Sequence, residues 1–243
     1  MRIIFSRKGF DSGSGGYPSP IIRGGPISLP IPTARRSETT YGQLGLGDIV
    51  ERITRGKITK SHLCHEDPMF AHGRCAFGQT GAAQSHLSNQ GVGVGDVFVF
   101  FGLFSDEMTG EHHHRIYGFL KVETVIALGS QPNSKHVLAG YSRRHPHTIG
   151  QWNENNTLYL GKGARCRSAS NELRLTKLGN PVSVWQTPPW LRKAGLTYHG
   201  REDRWLGHNI LRSVGRGQEF VANVDAHPVA LEWLTRIIGE IKR

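Results

Sequence analysis

Cysteine is scarce in this chain: Cys64, Cys75 and Cys166 among 243 residues. An odd count without disulfide-like spacing makes a reducing cytoplasm the expected compartment. No C-x-x-C or H-x-x-x-H pair occurs. Cys64, His65, His72 and Cys75 offer only a C-H and an H-x-x-C, which departs from zinc-ligand spacing. His112, His113 and His114 are consecutive and alternate faces in a strand, so no metal site is expected. No apolar run approaches the roughly 20 residues of a membrane span. The apolar residues after Met1-Arg2 are too few for a signal peptide. Repeats, low-complexity tracts and convincing linkers are also missing, so residues 1–243 read as one domain. Acidic residues are the last shortage: 19 Asp and Glu against 30 Lys and Arg, a formal net charge of +11. That excess excludes little but points to a polyanionic partner, most simply nucleic acid. A basic enzyme without such a partner is the plain alternative.

What is plentiful is glycine, at 31 residues, with 12 prolines. Glycine in such number favours turns and strands over long helices. Arg2 to Ser6 reads as a buried strand. A long Gly/Pro-rich loop follows over residues 7–43, and its interleaved Ile21, Ile22, Ile27, Leu29 and Ile31 argue that it packs. Leu46 to Ile53 predicts a short helix with Asp48 near its start. Gly81 to Ser88 predicts another. Gly95-Asp96 followed by Val97 to Phe101 predicts a strand buried on both faces. Arg115 to Glu123 is a second strand, joined to the first by a polar connection through "SDEMTGEHHH". Shorter strands are expected at Thr157 to Leu160, Leu173 to Leu175, Val182 to Trp185 and Gln218 to Val221. Pro228 opens a final amphipathic helix over 228–241. The fold class is α+β, a bent and mostly antiparallel sheet with flanking helices.

Three groups carry candidate chemistry. In "SRKGFDSGSGGYPSPI", Asp11 is a base-edge acceptor, a nucleophile or a base, and Ser12 sits beside it. Arg7 and Lys8 are placed to meet phosphate, and the glycine amides to form an anion nest. No Gly-Lys-Ser/Thr closes the stretch, so it is not a Walker loop. The plain alternative is a turn in which Asp11 caps its own backbone. The second group is "CHEDP" with "QTGAAQSHL". His65 and His86 are acid/base candidates, and Asp67 would hold an imidazole tautomer. Gln84 and His86 cannot share a helix face at a spacing of two. The alternatives are a turn at Asp67-Pro68 and a core histidine. The third group is "SRRHPHTIGQW", where Arg143, Arg144, His145 and His147 lie beside Trp152. Cations there would neutralise phosphate and the ring would stack on a base. A solvated basic face is the alternative.

Taken together, "SRKGFDSGSGGYPSPI", "GQLGLGDIVE", "HEDP", "FGQTGAAQSHL", "GVGVGDVFVFFGLF" and "NNTLYL" resemble the nucleotide modification associated domain 3 family of bacteria and phages. The resemblance runs from Arg2 to about Gln218. It implies a setting of DNA-base modification without naming a reaction. The positions matching its motifs are Asp11, Ser12, Tyr17, Pro18, His65, Asp67, Gln79, Gln84 and His86. "GDVFVFFG" with "RIYGFLKVE" is also similar to the strand and return strand of PUA-like barrels, which include ASCH, EVE and YTH readers. The resulting expectation is a DNA-associated protein that takes a nucleobase or nucleotide into a pocket to modify or excise it. The alternatives are a non-catalytic reader of modified bases in a phage-defence or restriction system, and an enzyme of free nucleotides. Asp11, His65, His86 and Asp67 would be catalytic. Ser12, Tyr17, Gln79 and Gln84 would bind substrate, and Arg7, Lys8, Arg143 and Arg144 the nucleic-acid backbone. The cofactor and any protein partner are unknown, and no membrane partner is expected.

Overall fold

A computed structural model describes residues 1–132, 138–215, 217–225 and 227–243. The first strand, β1 (Arg2–Arg7), buries Ile3, Ile4, Phe5 and Ser6 in succession, as a strand covered on both faces must. The Gly/Pro-rich stretch after it carries three short strands, β2 (Ser19–Ile22), β3 (Gly25–Pro26) and β4 (Ile31–Pro32). Its apolar residues do pack. Ile21 joins the main core, while Phe10 and Leu29 form a smaller one with Tyr41, Val50 and Cys64. Next come α1 (Gly47–Thr54), β5 (Cys64–His65), β6 (Met69–Ala71), β7 (Arg74–Gln79) and α2 (Gly81–Asn89). The long hairpin β8 (Val97–Asp106) and β9 (His112–Ala127) follows, then β10 (Thr157–Arg165). The last part holds β11 (Val184–Gln186), α3 (Trp190–Ala194), β12 (Trp205–Gly207), β13 (Ile210–Arg212), β14 (Glu219–Asn223) and α4 (Pro228–Lys242).

One nine-stranded sheet runs in the order β14-β1-β8-β9-β10-β7-β6, with β2 and β3 attached through β8. It is not closed into a barrel, since β14 and β6 end the path. β1 and β2 pair β8 in parallel and the other pairings are antiparallel. The class is α+β, dominated by sheet. β8 is the axis: β1 lies along its first half (Ile3 opposite Val97) and β2 along its second (Ser19 opposite Phe104). Between those pairings the chain leaves the sheet after Lys8 and rejoins it at Ser19. Lys8 N–H is still held by the Phe101 carbonyl at 2.8 Å. The backbone at Gly102 lies so close to Lys8 that a Cβ there would be 2.6 Å from its carbonyl oxygen. The opening stretch therefore projects from the middle of the sheet.

Two local expectations need correcting. Residues 171–173 are a 3-10 turn, because the Ser170 hydroxyl accepts from Glu172 N–H and starts a helical turn; only Arg174 bridges to the sheet, opposite Arg115. The polar hairpin connection is tighter than read: β8 continues to Asp106 and β9 starts at His112, so only residues 107–111 turn, and His112 to His114 pair with Ser105 to Leu103, with a bulge farther along at Phe100/Phe101.

Candidate functional site

One cavity of about 320 Å3 opens where the opening stretch leaves the sheet, and six separate segments line it, among them β4 with Thr33, Arg35 and Arg36 after it. Arg7, Lys8, Gly9, Asp11 and Ser14 come from the opening stretch, His65 and Asp67 from the end of β5, and Gly78 to Thr80 from the end of β7. His147 and Trp152 come from the segment before β10, and Gln218 precedes β14. A volume near 300 Å3 is at the small end for small-molecule sites.

Asp67 is the centre of its deepest group. Its carboxylate is buried and takes Gly78 N–H at 3.1 and 3.3 Å on its two oxygens. Three imidazoles surround it: His145 Nε2 at 3.3 Å from Oδ1, and His147 and His65 Nε2 at 3.5 and 3.7 Å from Oδ2. Burial alone would raise this carboxyl, but His145, His65 and His147 outweigh it and hold Asp67 well below the ordinary carboxylate range. Burial, helped by His145 and His65, outweighs Asp67 and pushes the His147 imidazole down to about 3. Asn156 Oδ1 lies 2.6 Å from His147 Nδ1, and the Asn156 amide is oriented by its Nδ2–H bond to the His147 carbonyl. Gly78 has to be glycine here: a Cβ would lie 2.3 Å from the His147 ring.

A stack of planar groups forms one wall. Trp152 lies 4.1 Å from the His147 ring at 15°, and the exposed Arg36 guanidinium sits 4.3 Å over the indole. A second polar group is built on Glu219, at the start of β14. Its Oε1 accepts from Lys8 Nζ at 2.7 Å and from Gln79 Nε2 at 2.8 Å, while Oε2 is buried without a hydrogen bond. Lys8 also lies 4.6 Å over the Phe77 ring. Arg7 lines the cavity with its guanidinium bonded to the carbonyls of Gly215 and Val214, and burial lowers its pKa. Asp11 folds its own loop, since Oδ1 accepts from Gly13 and Ser14 N–H at 2.8 and 2.7 Å.

Other sequence candidates lie elsewhere. Ser12 is exposed outside the cavity lining, and Tyr17 packs against the smaller core. Gln84 is buried on the other side of α2, accepting from Tyr159 Oη at 3.1 Å and donating to Ser88 Oγ. His86 bonds Thr197 Oγ1 at 3.1 Å and lies against Tyr198. Arg143 makes a two-point ion pair with Glu66 at 2.9 Å, and Arg144 pairs with Glu38 at 2.6 Å. Residues 2–223 match the model of the nucleotide modification associated domain 3 family. The chain belongs to that family. No curated protein and no solved structure matches it. Membership in the nucleotide modification associated domain 3 family indicates a role associated with nucleotide modification. Among the described residues no helix is long and apolar enough to cross a membrane.

Within this family member, a second cavity of about 620 Å3 adjoins the first, and Gly9 and Asp67 line both. Sequence reasoning set His145 and His147 among cations beside Trp152 and did not connect them to Asp67. The H-P-H spacing was the available signal: Pro146 starts a 3-10 turn that sends both rings to one carboxylate. Glu219 carried no signal, because its partners are 140 and more residues away. The metal question also moves. His65, Asp67 and His147 bring three donor atoms within 4.8 Å of one another, without Cys64, His72 or Cys75.

Proposed function

We propose that this protein takes a nucleobase or nucleotide of DNA into the 320 Å3 cavity and modifies or excises it. The observation that carries the reading is the joint lining of one base-sized hollow by cationic groups, a planar stack and a buried carboxylate ringed by imidazoles. Chemistry on a base requires it to leave the stack, and a pocket then holds it by ring contacts and edge hydrogen bonds. The Arg36 guanidinium occupies the face of Trp152 that a planar ring would take. Lys8 and Gln79, held by Glu219, present donors to the base edge. Arg7, Arg35 and Arg36 are the phosphate contacts. Asp11 shapes the loop through Oδ1 and offers Oδ2 to the ligand. His65 and Asp67, with His147, form the reacting end. The compartment is the cytoplasm, where three buried thiols stay reduced.

A second reading is a reader of modified bases without chemistry. The placement of Asp11 favours it, because a carboxylate spent on its own loop amides is a poor nucleophile. Incubating the protein with modified and unmodified DNA and analysing nucleosides by mass spectrometry separates the two. A new nucleoside or free base that the Asp67→Asn variant fails to produce supports the enzyme. Preferential binding of modified DNA with unchanged nucleosides establishes the reader. No preference and no nucleotide binding defeats both.

A further inference from the structure

The Asp67 group has an electrostatic arrangement that side chains alone leave incomplete. His145 Nδ1 accepts from the His147 backbone N–H at 3.2 Å, so in the neutral ring the proton sits on Nε2, which faces Asp67 Oδ1 at 3.3 Å. Gly78 N–H approaches the same oxygen at 3.1 Å and Oδ2 at 3.3 Å. Oδ1 therefore has two N–H groups near it, the His145 one close but not aligned as a hydrogen bond. Oδ2 shares the longer Gly78 contact and otherwise faces something different. The fixed Asn156 amide accepts at Oδ1 and so places the His147 proton on Nδ1. His147 Nε2 then turns a lone pair toward Asp67 Oδ2 at 3.5 Å. A lone pair facing a carboxylate oxygen in a buried site repels it unless a cation lies between them. His65 Nε2 completes the set at 3.7 Å from the same oxygen.

We propose that His65 Nε2, His147 Nε2 and Asp67 Oδ2 hold one first-row divalent transition-metal ion with its remaining positions open to the 320 Å3 cavity. An ion about 2.1 Å from each donor sets adjacent donors about 3.0–3.4 Å apart; the two imidazoles stand slightly wider from Asp67 Oδ2, at 3.5 and 3.7 Å, and all three donors lie within 4.8 Å of one another, so the group would draw in modestly on an ion. Two imidazoles and one carboxylate suit zinc, iron or cobalt rather than magnesium or calcium, which take oxygen ligands. The outer partners are of the kind such sites use. Asn156 fixes the tautomer of His147, and Gly78 N–H holds the second carboxylate oxygen with His145 Nε2 beside it. The cavity side of the site carries His65, the Arg36–Trp152–His147 wall and Gln79, so a ligand seated against Trp152 would lie next to the ion. Such an ion polarises a bound water or a carbonyl oxygen of that ligand. This assignment rests on the cavity being the working site, but its test uses no nucleotide.

The test is to strip the protein with a chelator and titrate it with Co2+, reading the visible absorption band and stoichiometry, then to displace Co2+ with Zn2+ or Mg2+. One Co2+ per chain, displaced by Zn2+ and not by Mg2+, is the expected result. His65→Ala and Asp67→Asn should weaken binding at least about 10-fold, while His112→Ala, on an exposed ring outside the group, should bind as wild type. Thermal melts serve as the second measurement. Zn2+ should raise the Tm of the wild type and not that of His65→Ala, which also shows whether that variant is folded. A wild type that binds Co2+ no more tightly than His65→Ala, or one in which Mg2+ competes as well as Zn2+, overturns the assignment. Nucleotide binding that persists in such a protein would leave the cavity reading intact.

Discussion

Trp152 and Asp11 show how differently two neighbouring lining residues work. Trp152 contributes a flat face, with Arg36 on one side and His147 on the other. Replacing it by Ala should cost about 1–3 kcal/mol of nucleotide or single-stranded DNA affinity, measured by titration with nucleoside monophosphates. Circular dichroism should stay unchanged, since its indole donates only to the local Ile149 carbonyl. Asp11 instead contributes geometry. Asn keeps the oxygen that takes Gly13 and Ser14 N–H, and Ala does not. Asp11→Ala should therefore lose about 1 kcal/mol in urea unfolding and Asp11→Asn much less. Should Asp11→Asn keep stability but lose all turnover, the carboxylate would be a reacting group and the positioning role would fall.

Gly78 carries the element-scale argument. It lies in β7 opposite Leu158, its N–H holds Asp67, and its bare Cα leaves room for the His147 ring. Gly78→Ala should cost about 1–3 kcal/mol by overpacking, and crystals of the variant should show His147 pushed off Trp152. An unchanged melting temperature would mean that the His147 segment yields freely. Elements with a strong local pattern were legible in the sequence. The run Val97 to Phe101 reads as a strand because every residue is apolar, and all five are buried. α4 reads from its prolyl start and apolar face. β7 was not legible, because "RCAFGQ" mixes charge, glycine and amide, and its inward positions pack through neighbours far along the chain. The same holds for the site. Lys8, Asp11, His65, Asp67 and Gln79 stand out as polar residues in unusual local company. The convergence of His145 and His147 on Asp67 depends on contacts 78 to 80 residues away, which leave no local trace.

At the scale of the whole molecule, charge and buried histidines set the response to solution conditions. A net charge of +11 predicts that DNA affinity falls steeply with salt, with a slope reduced by about 1 in Arg36→Ala. Filter binding from low to physiological salt measures this, and a flat slope would exclude a phosphate-tracking surface. Acid should unfold the protein early. Burial pushes His113 and His199 down to about 4 and His114 to about 3. His114 Nδ1 accepts from the Trp185 indole, and His199 Nε2 from Val214 N–H, bonds that protonation would break. Below about pH 6.5 the unfolded chain takes up protons that the folded chain refuses, so stability falls from there toward about pH 4. The urea midpoint should drop across that window and stay level above it; a level midpoint throughout would mean these rings are solvated. The position of β14 has one more consequence. Glu219 answers Lys8 across 211 positions of the polypeptide. A nascent chain on the ribosome displays the ammonium long before it receives the counter-charge, so no copy halted between the two carries a finished pocket.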